Sequence, residues 1–209
     1  MMQDVMKPRL DRDARREAIL DVASDVFLEE GYANASMSTI AARVGGSKGT
    51  LYNYFKNKEE LFAAYVVRHC AWQRDAMFEI ESELGDIREA LIKTGRIYLS
   101  IVLSDFSMAN FRVIVAEAQR TPEIGHAFYE AGPRSGSKRL GAVLQKAIDG
   151  GQLKIDDPVH AARQFIGLCQ NHMLKARLCN AMAEPTPEEI DREVLPAVDM
   201  FLAAYGTKR

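Results

Sequence analysis

Three features of the 209-residue sequence predict an all-α protein. Apolar residues recur at three- and four-residue spacing, strand-like alternation is nearly absent, and several helix starts are marked by a cap residue followed by proline. The expected architecture is an N-terminal three-helix unit over 1–57, with a larger C-terminal helical bundle over 58–209.

The first helix is expected from Arg12 to Glu30, where Ile19, Val22, Ala23, Val26 and Phe27 share a face. Asp11 or Asp13 can cap it, and Gly31 supplies its stop. Ser36 can cap a short helix to about Val44, with Met37, Ile40 and Ala41 on one side. Gly45-Gly46 then makes a tight turn, Ser47 caps a second short helix through Phe55, and a longer helix begins near Lys58. Farther on, Thr121-Pro122, Asp157-Pro158 and Thr186-Pro187 each place an oxygen-bearing cap before proline, which tolerates the first helical position because its missing N–H would be unpaired there. Glu189, three residues after Thr186, completes a capping box. Gly150-Gly151 ends one helix, and Gly132-Pro133 is expected to interrupt another around Glu130.

Composition narrows the setting. Hydrophobic residues are 47% and charged residues 27%, the balance of a globular protein. No run reaches the ~18 apolar residues of a membrane span. Met1–Asp13 lacks the apolar centre of a secretion signal. Cys70, Cys169 and Cys179 are odd in number, as reduced thiols in a cytoplasmic protein would be. A cytoplasmic protein without a membrane partner is expected.

The net charge of −2 does not suggest nucleic acid, but its distribution does. From Ala33 through Lys58 there is no carboxylate, while Arg43, Lys48, Lys56 and Lys58 supply four cations, a local +4. Screening limits distant charges to roughly 8–10 Å, so a local excess is what a phosphate meets. Within this stretch, two short helices around a glycine turn form the geometry that presents the second helix to a major groove. Leu51 and Phe55, four apart, can anchor that helix, while Ser47, Lys48, Thr50, Tyr52, Asn53 and Tyr54 project mostly elsewhere. Gly49 allows close backbone approach to a phosphate, and Lys58 adds a cation at the next helix start.

Other chemistries find little support. Gly45-Gly46-Ser47-Lys48-Gly49-Thr50 has its lysine before the last glycine, the reverse of a phosphate-binding loop. Asn34-Ala35-Ser36 fits a glycosylation sequon by chance. His69-Cys70 point to different helix faces, and Cys169 with His172 lacks further ligands. No catalytic constellation stands out, so neither enzyme activity nor a cofactor or metal is expected.

The block GYANASMSTIAARVGGSKGTLYNYFKNKEEL, Gly31 to Leu61, closely resembles the N-terminal domain of the TetR/AcrR family of repressors, and Ser47–Glu59 matches its recognition helix almost position by position. Gly46 departs from the family's usual valine, which removes an apolar contact in the turn. The resemblance implies that Lys48, Thr50 and Asn53 face bases or nearby phosphates. Tyr52, Tyr54 and Lys58 would hold the DNA backbone, with Ser38 and Thr39 on the positioning helix and Ser47 and Gly49 at the start of the reading helix. Ile40, Leu51, Phe55 and Phe27 become domain core. Lys7, Arg9, Arg12, Arg15 and Arg16 form either a minor-groove arm or a solvated helix start.

FRVIVAEAQRTPEIGHAFYEAGP, Phe111 to Pro133, resembles the C-terminal domain of the AefR-like branch. That resemblance implies a homodimer on a palindromic double-stranded operator, with a small-molecule effector held in the C-terminal bundle. Pocket candidates are Trp72, Tyr98, Phe106, Phe111, Glu117, Arg120, His126, Phe128, Tyr129 and Phe165. Dimer candidates on the last two helices are Phe165, Cys169, His172, Met173, Val194, Val198, Phe201 and Leu202; burial of these stripes within one subunit is the alternative.

Overall fold

The computed structural model describes residues 12–78 and 85–207. Their helices are α1 (Arg12–Asn34), α2 (Met37–Arg43), α3 (Lys48–Tyr52), α4 (Lys58–Phe78), α5 (Ile87–Val102), α6 (Asp105–Ala118), α7 (Pro122–Tyr129), α8 (Ser135–Asp149), α9 (Pro158–Gln170), α10 (Met173–Leu178) and α11 (Pro187–Tyr205). The chain divides into two compact units at Tyr65/Val66, inside α4.

In the first unit, Ile19, Leu20, Ala23, Val26 and Phe27 of α1 are buried, as their spacing requires. The helix breaks at Gly31, whose φ of 76° and ψ of 158° are non-helical, and the chain then adds one turn to Asn34. Tyr32 beyond the break packs with Phe27 and Phe62, and the Phe27 and Phe62 rings meet edge-on with centroids 4.8 Å apart. Ser36 caps α2 by accepting the Thr39 N–H at 3.0 Å, and Ser47 caps α3 by accepting the Thr50 N–H at 3.1 Å. The turn between them needs a left-handed residue, supplied by Gly45 at φ 71°.

One boundary differs from the sequence reading. The second short helix ends at Tyr52 rather than Phe55. Tyr54 N–H reaches back three residues to the Leu51 carbonyl at 3.0 Å, tightening the last turn, and Phe55 is drawn into the core. Lys56 N–H is then taken by the Glu60 carboxylate at 2.8 Å, which turns the chain into α4.

The core of the second unit is built from α5, α8, α9 and α11, with Leu91, Leu99, Leu144, Phe165, Val194 and Phe201 buried together. Helix α5 comes so close to α11 that a Cβ at Gly95 would lie 2.8 Å from Val194 Cγ1. Asp157 and Thr186 cap α9 and α11, the latter through the expected capping box with Glu189. Thr121 precedes Pro122 but makes no side-chain cap bond, so proline alone marks that start. Gly132-Pro133 does not break the chain: α7 runs into α8 through a π turn, Glu130–Arg134. The wider turn accommodates Pro133, which has no N–H to give, and its carbonyl accepts the Ser137 hydroxyl at 2.7 Å.

Arg177 is the buried polar tie of this unit, only 2% exposed. Its guanidinium donates to the carbonyls of Leu103 at 2.9 Å and Met182 at 2.8 Å, and to Asp105 at 2.6 Å. Arg112 in turn donates to the Arg177 and Leu178 carbonyls at 2.6 and 3.1 Å, so α10 is fastened to the α5–α6 corner from both directions. Among the described residues no single helix is long and apolar enough to cross a membrane.

Replacing Arg177 with alanine strands two carbonyls and should lower unfolding stability by about 2–4 kcal/mol, measured by urea titration. A loss under about 0.5 kcal/mol would show that the tie carries no stability.

Candidate functional site

The surface of the first unit is set by α3. Leu51 and Phe55 are each 2% exposed and hold it down, with Ile40 of α2 and Phe27 of α1 buried beneath. Lys48, Gly49, Tyr52 and Asn53 are exposed; Thr50 and Tyr54 are half-buried. The Lys48 ammonium lies 5.8 Å from the centre of the Tyr52 ring, within cation–π range. Ser47 is exposed, but its hydroxyl is engaged by the Thr50 N–H and lies 2.9 Å from Thr50 Oγ1. Ser38 is exposed on α2, and Thr39 is half-buried with its hydroxyl 2.9 Å from Ser36 Oγ.

The cations of this region are less available than the sequence count suggests. Arg43 pairs with Glu29 at 2.6 Å and Glu30 at 3.1 Å, both from α1, and the Glu29 hydrogen bond raises its pKa further. Lys58 is not a free cation. Its ammonium donates to the carbonyls of Tyr32 at 2.7 Å, Ala35 at 3.1 Å and Ala33 at 3.4 Å, and sits 4.3 Å from the Tyr32 ring centre. Those carbonyls follow the break at Gly31, where the chain leaves its orphan acceptors, and a lysine amine satisfies them. Lys48 and Lys56 are the exposed lysines that remain.

The expected arm also divides. Lys7 and Arg9 lie outside the described residues, and Arg12 is exposed on α1. Arg15 turns toward the helix-turn-helix: it donates to the Val44 carbonyl at 3.4 Å, and a Cβ at Gly46 would stand 3.2 Å from its Nη2. The space a larger residue would take at Gly46 is therefore occupied by Arg15. The Arg16 guanidinium lies 5.2 Å from the Phe55 ring centre.

In the second unit a cavity of about 390 Å³ is enclosed by α4 to α10. Of the pocket candidates, Tyr98, Phe111, Phe128, Tyr129 and Phe165 line it. Trp72 and Phe106 do not: they are 61% and 44% exposed and flank His69 from outside, with ring centroids 6.3 and 5.1 Å away. Glu117, Arg120 and His126 are also absent from the walls, and Arg120 and His126 face solvent. Residues that sequence reasoning missed include His69, Gln73, Asn110, Arg163 and Gln170. The available signal was a polar residue set into an otherwise apolar helix stripe, as Asn110 is on α6. Gln73 donates to Ser107 Oγ at 2.7 Å, and Gln170 bonds the Tyr98 hydroxyl. Burial raises the Tyr98 pKa. Burial first, and the Arg68 charge second, drive His69 down to about 4, so it is neutral at pH 7.

The dimer candidates are mostly buried within the single chain. Phe165, Cys169, Met173, Val194, Val198 and Phe201 are all at most 3% exposed within the single chain, and Leu202 packs against the same core. The Cys169 thiol is pushed up to about 12 by that burial. Only His172 stays open, near Glu193 at 3.6 Å. Phe201 also borders the apolar surface that these helices leave uncovered. A groove of about 670 Å³ is bordered by Gly167 and Leu168 of α9 and by Pro196, Met200 and Ala204 of α11, with Met200 60% exposed. Among the described residues no cluster of three or more His, Cys, Asp or Glu side chains is placed to hold a metal.

A capped helix pair around a left-handed glycine, with the second helix anchored by two buried residues and offering polar groups outward, defines the helix-turn-helix class. Residues 19–65 match the family model of bacterial regulatory proteins of the tetR family, and residues 89–207 match that of the AefR-like transcriptional repressor C-terminal domain. The chain belongs to the TetR family of transcriptional regulators and carries an AefR-like C-terminal domain. A TetR-family regulator from Mesorhizobium loti MAFF303099 has a similar structure, with a TM-score of 0.87 and 27% identity over 94% of this chain and all of that one. The flavonoid-responsive regulator FrrA gives 0.79 and 31% identity over 93% of this chain and 98% of its own. The transcriptional activator FasR of Mycolicibacterium smegmatis is 40% identical over 86 residues, which span 41% of this chain and 35% of FasR.

Lys58→Met keeps the stem over Tyr32 but removes the carbonyl bonds. Unfolding stability of the first unit should fall by about 1–2 kcal/mol in chemical denaturation. Unchanged stability with weakened DNA binding would instead make Lys58 a phosphate contact.

Proposed function

We propose that this regulator is a homodimeric repressor of a palindromic operator, acting in the cytoplasm and released by a small molecule bound in the C-terminal bundle. The observation that carries the reading is the outward presentation of Lys48, Tyr52 and Asn53 on a helix whose other side is buried. Donors and acceptors on a thin helix are what base edges in a major groove require. Thr50 and Asn53 serve base contacts, and Lys48 holds a phosphate beside them. Tyr52, Tyr54, Ser38 and Thr39 hold the backbone, helped by Ser47 and Gly49 at the helix start. Lys58 acts indirectly, by fastening the chain after Gly31.

Two recognition helices per operator require a two-fold partner. The groove flanked by Leu168 and Met200 supports a self-complementary four-helix contact through α9 and α11, because it is the apolar face that the subunit's own core leaves uncovered. The cavity of about 390 Å³ supports the effector role, being apolar with a few polar groups. FrrA, named for its response to flavonoids, supports a small-molecule input. Relief then follows if the effector prefers a state whose reading helices are wrongly spaced; a coupling of about 1–3 kcal/mol gives about 5–150-fold weaker operator binding.

Lys48→Ala should weaken binding to all duplexes alike and reduce the salt slope by about 1, while Asn53→Ala should lose about 1–3 kcal/mol of discrimination at one position per half-site. Electrophoretic mobility shifts over a salt series and an operator-variant panel measure both. Wild-type affinity and preference in the two variants would overturn the assignment.

Met200→Glu places a charge in the exposed groove without touching the core. It should shift sedimentation from dimer to monomer with unchanged helix content and weakened operator binding. A dimer that persists in Met200→Glu combined with Leu168→Glu would rule out this face.

A further inference from the structure

The cavity in the second unit carries an asymmetry of charge that points to the chemistry of its occupant. Among its described lining residues Arg163 is the sole charged side chain, and no carboxylate lines it. Histidine 69 adds no charge at neutral pH, because burial holds it in the neutral form. Arg163 lies on the exposed side of α9, on the same face as Ile166 and Gln170, three and seven residues along. Among the described residues its side chain makes no ion pair or hydrogen bond, whereas Arg43, Arg88, Arg96, Arg134 and Arg177 each have a carboxylate partner.

Several of the interior polar groups are already bonded within the protein. Tyr98 is bonded by Gln170, Gln73 donates to Ser107, Asn110 donates to the Phe106 carbonyl and Ser137 donates to the Pro133 carbonyl. They offer an occupant hydroxyl and amide contacts but nothing that selects a charge. The exposed guanidinium presents a planar fork suited to a carboxylate. Part of the wall is aromatic, with Phe111 and Phe128 ring centroids 5.3 Å apart. At about 30 Å³ for each water-sized group, a volume of about 390 Å³ holds about thirteen such groups.

We propose that the effector is an amphipathic monoanion, a compact ring-bearing body with one carboxylate that pairs with Arg163 at the mouth of the cavity. This inference rests on the cavity being the effector site. A neutral analogue of the same shape fills the aromatic part but leaves Arg163 unpaired, and a cationic analogue is repelled by it.

Titration calorimetry on the full chain with 2-naphthoate, 2-naphthamide and 2-naphthylmethylammonium tests both levels. The carboxylate should bind about tenfold tighter than the amide, with the ammonium weakest. Arg163→Gln, at an exposed position, should abolish the carboxylate's advantage while leaving amide affinity in place. Equal binding of carboxylate and amide to the wild type overturns the proposal, as does an advantage that survives Arg163→Gln, or no saturable binding of naphthoate. Gly136→Phe distinguishes failure of the underlying reading: Gly136 lines the cavity and a Cβ there has nothing within 4 Å, so a phenyl ring can fill the space. Loss of amide and carboxylate binding in Gly136→Phe supports the cavity as the site. Undiminished binding of both shows that they sit elsewhere, and overturns the effector reading together with the proposal.

Discussion

The arrangement depends on the burial of two residues, Leu51 and Phe55. Helix α3 spans only Lys48–Tyr52, and a helix that short has no stability of its own in water. It exists because Ser47 caps one end, while Leu51 and Phe55, each 2% exposed, fix the other to the α1–α2 core. The same anchoring decides the outward set. With Leu51 turned in, Lys48, Gly49, Tyr52 and Asn53 have no inward direction left. The outward set of so short a helix is thus inherited from the hydrophobic packing behind it.

The second unit uses its helices on more than one side. On α9, positions Ala161, Ala162, Phe165 and Cys169 are sealed in the core, while Arg163, Ile166 and Gln170 border the cavity and Gly167 and Leu168 border an open groove. A single thirteen-residue helix therefore bears on stability, on the cavity and on the uncovered apolar face. Helix α11 shares two of these duties, core through Val194, Val198 and Phe201 and groove through Pro196 and Met200. Displacement of α9 by an occupant would be felt by the groove, because the wall residues and the groove residues alternate on one rigid element.

Local chemistry was readable from the sequence; chemistry that depends on the fold was not. Ser36, Ser47, Asp157 and Thr186 act as caps because capping needs only the next three residues. Leu51 and Phe55 were readable as anchors from their spacing. The carbonyl partners of Lys58 at Tyr32, Ala33 and Ala35 were not legible, because they lie 23 to 26 residues away, behind a glycine break. The carboxylate partners of Arg43 were hidden for the same reason, being 13 and 14 residues back. The stripes of α9 and α11 show a different limit. Periodicity finds the most apolar face of a helix, and that face goes to the subunit's own core; a second, weaker stripe of small and flexible side chains, Gly167, Leu168, Met200 and Ala204, was outscored by the first. Two of the pocket candidates, Trp72 and Phe106, lie on outer faces because aromatic character says nothing about direction.

The π turn at Glu130–Arg134 bears on how this chain is to be compared with its kin. A π turn accommodates one more residue than the α-helical turn it replaces, and each α-helical residue advances the face by about 100°. Because the widened turn absorbs that surplus, Phe128 before it and Gly136 and Leu140 after it still border one chamber. A relative in which the corresponding stretch is plain α-helix would be one residue shorter there with its wall unaltered. An ungapped alignment through this point would slip every later position onto the wrong flank, equating chamber residues with solvent residues, so ancestry here is better traced by superposing helices than by matching letters.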